Sequence, residues 1–452
     1  MTRSAPRSAP RFAPRFAPQA LGLTLVALAA GCGSDGAEDD GTAQDRVTFY
    51  EHALPVLNEH CGGCHQEGGI APFSTGDYAT SKQWAAAIVE STQSRTMPPF
   101  GANNDGSCNE FTHARWLDDE ELDTLAKWAE QGALEGERPA QIPQPPALPT
   151  LVGEGIEELH TPQYQPVGEA EAGSEYEDYQ CFLLDPGLDR DRYVVGFEVL
   201  PGNDRIVHHV LGFRVNPNVF DNAKTMQALD DASPDQIGWD CFGAAGDDVF
   251  VDSVPVTWAP GTGAVNFPEG TGIPLLADDV LVVQVHYNLA ETAGTDATTV
   301  RLQYADEVER PAVQALWDPF LYSTIFGDEP ASLPAGQEHA TYAWNEQIST
   351  MTNLAPSGEV DIYGLLPHMH KRGRTMSVQL EHDGEMSCAA DVDRYDFNWQ
   401  TAYFLQQPLV ANATDRVHVT CDWDTRGDLQ AVTPGFSTAN EMCLIGIYVV
   451  PR

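Results

Sequence analysis

Six side chains in this sequence are of the types that hold copper: His208 and His209 side by side, His286, His368 and His370 one residue apart, and Met442. Imidazole ligates copper in either oxidation state, whereas a thioether favours the softer Cu(I). Grouped by position, they describe two unlike sites, one all-nitrogen and one nitrogen–sulfur. Ahead of them stands Cys61–Gly62–Gly63–Cys64–His65. This is the attachment signature of a c-type haem: two thiols form thioethers and the adjacent imidazole takes an axial position. Met97, in Thr96–Met97–Pro98–Pro99, supplies the second axial ligand of a Met/His cytochrome, with His60 and His113 as alternatives. The chemistry these residues share is redox chemistry.

Such ligands need elements to aim them. In a strand, residues i and i+2 share a face, so His368 and His370 can chelate one ion without distorting the backbone. Residues 360–367 read as a strand ending at that pair. Adjacent His208 and His209 diverge in a regular strand, and joint ligation requires a bulge or twist there. His286 is a polar residue inside the apolar strand pattern 282–288. Met442 by itself reads equally as core packing.

Residues 47–136 have a helical texture, with segments 49–57, 84–89 and 118–132; the last opens on an Asp cap with Leu122, Leu125 and Trp128 at helical spacing. They predict a small all-α cytochrome c domain. Residues 137–164, with prolines at 139, 143, 145, 146 and 149, predict a linker. Beyond it come short β-branched runs (193–199, 206–215, 279–288, 299–304, 360–366, 375–380, 416–422 and 443–450) cut by Gly, Pro, Asn and Asp. This predicts a mainly β region of two antiparallel sandwiches, 165–310 and 311–452, since about 300 residues are too many for one.

The first residues predict processing rather than fold. Arg3, Arg7, Arg11 and Arg15 precede a short apolar run ending at Ala29–Ala30–Gly31–Cys32. This reads as a lipoprotein signal over 1–31, too short to span a bilayer, with lipid on Cys32 and an acidic tether over 32–46. The expected location is outside the cytoplasm, anchored to a membrane on the periplasmic side or at the cell surface. A formal charge of −43 repels phosphate backbones and excludes nucleic acid as a partner. With Cys32 lipidated and Cys61 and Cys64 on haem, six of the nine cysteines remain for disulfides, and sequence alone does not choose the pairing.

Val207–His208–His209–Val210, Gln284–Val285–His286–Tyr287, His368–Met369–His370 and Glu441–Met442–Cys443, with Trp258–Ala259–Pro260–Gly261 between the first two, resemble in order the motifs of the copper type II, ascorbate-dependent monooxygenases. The resemblance covers roughly residues 165–452. It implies two jelly-roll sandwiches, each with one copper, and a solvent-filled cleft between them. His208, His209 and His286 would hold the copper that stores an electron. His368, His370 and Met442 would hold the copper at which O2 reacts and a C–H bond is hydroxylated. Cys421 with Cys443, and Cys181 with Cys241, match disulfides that the resemblance implies.

The sequence also departs from the peptide-hydroxylating branch. The positions that would clamp a substrate carboxylate are Leu366, Leu444 and Gly446 here. Without an Arg–carboxylate pair, the expected small-molecule substrate is neutral or apolar. The fused haem domain is expected to pass electrons from an unidentified donor to the copper of the first sandwich. The alternative function is a non-catalytic haem- and copper-binding electron-transfer lipoprotein.

Overall fold

The strand Thr299–Ala305 shows how this sequence folds: Val300, Leu302 and Tyr304 are buried, while Arg301 and Gln303 between them stay partly open. Burying each such apolar side chain contributes about 1.5–3 kcal/mol, which pins the register. The structure, a computed structural model, describes residues 46–168, 176–234, 236–241, 244–290, 292–326, 331–436 and 439–452. The leader, Cys32 and nearly all of the tether lie outside the described residues.

The chain is mainly β. The first sandwich faces two sheets across a core that includes Phe197, Val210, Ile273, Val285 and Leu302. One sheet orders its strands Ile156–His160, Thr299–Ala305, Arg192–Leu200, Thr271–Leu275 and Arg310–Pro311, with Val265–Asn266 added on Arg192–Leu200. The other runs Trp239–Asp240, Glu177–Leu184, Val280–Asn288, Val207–Val215 and Ser253–Trp258. The second sandwich pairs the sheet Val313–Trp317, Leu444–Pro451, Glu359–His368 and Tyr403–Asn412 with the sheet Ala340–Gln347, Arg416–Trp423, Gly373–His382 and Glu385–Val392.

Side-chain hydrogen bonds and shared core residues join the two sandwiches. Gln314 accepts from the Val254 N–H at 2.6 Å and donates to the Val254 carbonyl at 3.1 Å. Arg310 bonds Asp361 and Tyr363, each at 2.9 Å. The Tyr448 and Thr271 hydroxyls meet at 2.8 Å, and Tyr448 and Val450 pack into the first core from the second sandwich's strand.

Ahead of the sandwiches stand helices Leu54–His60, Tyr78–Gln93 and Asp119–Glu130, with a wider turn, Phe49–Ala53, leading into the first. The Asp118 side chain takes the Glu121 N–H while Glu121 reaches back to the Asp118 N–H, a reciprocal cap. Leu125 and Trp128 then project into a core with Phe49, Leu54, Leu57 and Ile88.

Two segments differ from the sequence reading. The proline-rich stretch was expected to be linker through residue 164, but Ile156–His160 pairs with Thr299–Ala305 and edges the first sandwich. Residues 99–112, expected inside the helical domain, pack on the second sandwich. Ala102 and Phe111 enter its core, Asn109 bonds the Cys388 and Ala389 carbonyls, and Cys108 is disulfide-bonded to Cys388. Neither segment has the repeated alternation that betrays a strand. Cys181–Cys241 and Cys421–Cys443 are the other disulfides, leaving Cys61 and Cys64 as free thiols.

Candidate metal centres

Strand Val207–Val215 pairs with Val280–Asn288, and its register slips between Val207 and His209. This is the irregularity the adjacent histidines require: it turns His208 toward the same side as His209. Ligand atoms of His208, His209 and His286 lie within 4.8 Å of one another. His209 and His286 are wholly buried, their Nδ1 atoms 3.2 Å apart. His208 Nδ1, His209 Nε2 and His286 Nε2 are buried without a hydrogen-bond partner. Leaving such an atom unsatisfied costs about 1–3 kcal/mol, and each ring also sets one nitrogen within reach of the other two, so the trio fits a shared metal ion. Burial lowers the pKa of His208 to about 4 and of His209 to about 3, and holds His286 well below its ordinary value. All three are therefore neutral at neutral pH, the form that ligates a metal.

The second cluster forms where Glu359–His368 pairs with Leu444–Pro451. His368 ends its strand opposite Leu444, and Met442 stands two residues before Leu444. His370 and Met442 are buried. His368 Nδ1 donates to Gln400 Oε1 at 2.7 Å and His370 Nδ1 to the Asn440 carbonyl at 3.2 Å, which leaves Nε2 in each ring as the atom that would ligate a metal. Hydrogen bonds of this kind on the far nitrogen fix tautomer and ring orientation in metal sites. Burial lowers His368 to about 4. Glu441 braces the ligand loop, accepting from the His370 and Arg372 N–H groups at 2.9 Å each and from Trp423 Nε1 at 2.8 Å. The Cys421–Cys443 disulfide ties the residue after Met442 to the adjoining sheet.

Leu366 and Gly446 face each other across the same ladder, and a Cβ on Gly446 would stand 2.9 Å from that of Leu366. This pair is packed hydrocarbon with no polar group to offer a substrate. A cavity of 470 Å3 opens instead beside Pro367, Phe397, Trp399 and Gln400, with Tyr395 and Tyr403 in its aromatic wall. Its cations are engaged to different degrees: Arg95 bonds the Leu117 carbonyl and covers the Trp116 ring, Lys371 faces Glu177 at 3.9 Å, and Arg394 pairs with Asp393 through one nitrogen while its Nε and Nη2 are buried without a hydrogen-bond partner.

At the helical end, His65 Nδ1 donates to the Phe73 carbonyl at 3.1 Å, leaving Nε2 as the ligand atom. Burial, reinforced by Cys64, pushes the Cys61 thiol up to about 12. Cys64 Sγ lies 3.3 Å from the Pro260 carbonyl, and a Cβ on Gly261 (φ +79°) would stand 3.2 Å from it. The CxxCH face therefore rests on the end of the strand paired with the His208 strand. His60 is engaged by Glu121 at 2.8 Å, His113 lines a neighbouring 260 Å3 cavity, and Met97 is 38% exposed.

Sequence reasoning missed Tyr179 and the turn Phe397–Trp399. Tyr179 stacks on His286 with centroids 3.9 Å apart, and Trp399 lies 4.8 Å from His208. Both come from stretches without motif spacing, and only the folded chain shows what they touch.

Comparison with known proteins follows the same division. Residues 168–293 match the N-terminal domain of the copper type II ascorbate-dependent monooxygenases, and residues 321–451 match the C-terminal domain. A mouse protein named DBH-like monooxygenase protein 1 is 26% identical over 287 residues, covering 61% of this chain and 44% of that protein. A human protein named putative DBH-like monooxygenase protein 2 is 27% identical over 285 residues, covering 61% and 53%. The fruit-fly MOXD1 homolog 1 is 22% identical over 295 residues, covering 61% and 40%. The chain thus spans about half the length of these relatives or less.

Proposed function

We propose that this chain, which carries the N- and C-terminal domains of the copper type II ascorbate-dependent monooxygenases, holds two copper ions and hydroxylates a C–H bond of a small organic molecule with O2. The observation that carries this reading is the approach of three neutral imidazoles, two of them wholly buried, to within 4.8 Å of one another, beside a second pair, His368 and His370, whose loop Glu441 holds next to Met442. Bound copper supplies one-electron redox chemistry and reactivity toward O2. His208, His209 and His286 offer nitrogen only, which suits storage of an electron. His368, His370 and Met442 add a thioether, which favours Cu(I), the state that reacts with O2.

The residues around the second cluster define the rest. Gln400 and the Asn440 carbonyl fix the rings of His368 and His370, and Glu441 holds the backbone around them. The 470 Å3 cavity beside Gln400 is the substrate chamber. Its aromatic wall suits a neutral or apolar substrate body.

Cys61 and Cys64 would hold haem c through thioethers, with His65 and Met97 as its ligands, and the bound haem would supply electrons to the copper centres. Contact of Cys64 with Pro260 supports delivery to the His208, His209 and His286 centre. An unidentified external donor reduces the haem. Three disulfides suit an oxidising compartment, and lipid on Cys32 would fix the chain to a membrane; among the described residues no helix is long and apolar enough to cross one.

Metal analysis and X-ray absorption test the copper reading together. Two coppers per chain, with a sulfur scatterer at one only, are expected; a single copper, or zinc bound in preference, contradicts it.

A further inference from the structure

One short segment of the second sandwich touches both histidine clusters. Residues 396–400 cross from the strand Glu385–Val392 to Tyr403–Asn412, with a tight turn at Phe397–Trp399. The Trp399 ring lies 4.8 Å from that of His208, and the Asn398 backbone reaches His209. Tyr179 stacks on His286 and stands 6.4 Å from Phe397. On the other side, the Phe397 ring lies 6.0 Å from that of His370, and Gln400 bonds His368 at 2.7 Å. These ring separations lie within or below the usual range for aromatic contact, about 4.5–7 Å.

The contacts are dry. Tyr179 and Phe397 are 3% and 5% exposed and form a small apolar cluster of their own, apart from the sandwich cores, with Tyr395 against it. Tyr179 comes from the first sandwich and Phe397 from the second. Tyr395 fixes the middle of the His368–Met369–His370 run, accepting from the Met369 N–H at 2.9 Å and donating to the Met369 carbonyl.

We propose that residues 396–400, with Tyr179, form the electron bridge between the two clusters, so that transfer needs no substrate or solvent between them. This rests on the two-copper reading above. One electron leaves Cu(I) held by His208, His209 and His286, which becomes Cu(II), and enters Cu(II) held by His368, His370 and Met442, which becomes Cu(I). No covalent bond breaks and no proton moves. The bridge has two limbs: Trp399 to Gln400, and Tyr179 to Phe397. These are positioning residues, since none of them is itself a ligand.

The test uses the full chain loaded with copper, without O2 or organic substrate. A pulse-radiolysis electron is delivered to the fully oxidised protein, and freeze-quenched samples are read by electron paramagnetic resonance, in which the two Cu(II) spectra differ. In the unmodified protein the electron should redistribute between the centres within milliseconds. Phe397→Leu combined with Trp399→Leu should slow this tenfold or more, with copper content and both spectra unchanged; Tyr179→Phe, which keeps the ring, should match the unmodified rate. An unchanged rate in the double variant overturns the bridge. Should that variant lose copper, Tyr179→Leu with Trp399→Leu cuts both limbs while leaving Gln400 on His368, and is judged by the same criterion. Failure of the unmodified protein to bind two coppers is seen in the metal analysis beforehand, and overturns the copper reading instead.

Discussion

Replacing Met442 with leucine separates its role as a ligand from its role in packing. Met442 is 4% exposed and sits between Glu441, which anchors three donors, and Cys443, which is disulfide-bonded. Truncation to alanine would leave a cavity costing about 2–5 kcal/mol, enough to confuse lost chemistry with lost structure. Met442→Leu conserves volume, and such exchanges cost below about 1.5 kcal/mol. At roughly 2–4 °C per kcal/mol for domains of this size, the metal-free melting temperature should fall by about 6 °C at most. The sulfur scatterer should vanish from the X-ray absorption of the reduced protein, and Cu(I) affinity should drop at that centre alone. Hydroxylation should collapse while His208, His209 and His286 still hold copper. His286→Ala should abolish hydroxylation from the other side. Because the two centres act as one unit, the double variant should be scarcely worse than either single one. Unimpaired hydroxylation by Met442→Leu, or sulfur scattering that persists in it, would refute the assignment of Met442.

Chain exported together with haem maturation machinery should keep its red colour after denaturation and acid–acetone extraction, and Cys64→Ala should weaken that retention; extractable colour in the unmodified protein contradicts covalent attachment. Gly261→Val places a branched side chain against Cys64 at a φ that favours glycine, so stopped-flow transfer from haem to copper should slow tenfold or more; an unchanged rate would show that the Cys64–Pro260 contact is not on the route. Asp318 takes backbone N–H bonds from Leu321 and Cys443, yet burial outweighs these and raises its pKa to about 7. A carboxyl raised above its unfolded value loses stability as pH rises through that range, so Asp318→Asn should raise the melting temperature of the metal-free protein more at pH 8 than at pH 5. An equal change at the two pH values contradicts it.

Strands with strict alternation, such as Thr299–Ala305, were legible in the sequence to within a residue or two, because one face is core and the other solvent. Ser253–Trp258 was not: all six of its residues are buried, so no period appears. Tyr403–Asn412 was hidden by Pro408, which this strand tolerates because it lies at a sheet edge. The ligand-type residues stood out because histidines in apolar strands are conspicuous, and the slip at His208 followed from asking how two adjacent side chains could reach one side. The packing of residues 99–112 on the second sandwich depends on single contacts from Ala102, Phe111 and Cys108. The turn joining the clusters depends on Phe397 and Trp399, whose importance lies in what they touch across the sandwich boundary, and no spacing encodes that.

An oxygen atom from O2 should enter an organic molecule bound beside His368, His370 and Met442. The most direct test supplies the copper-loaded full chain with reductant, isotopically heavy O2 and a panel of small neutral and apolar compounds, and examines the products by mass spectrometry. One heavy oxygen atom should appear as hydroxyl in a panel compound for each O2 consumed, and none when copper is removed. Oxygen consumption with the label found only in water or peroxide, or label incorporation that survives copper removal, would contradict it.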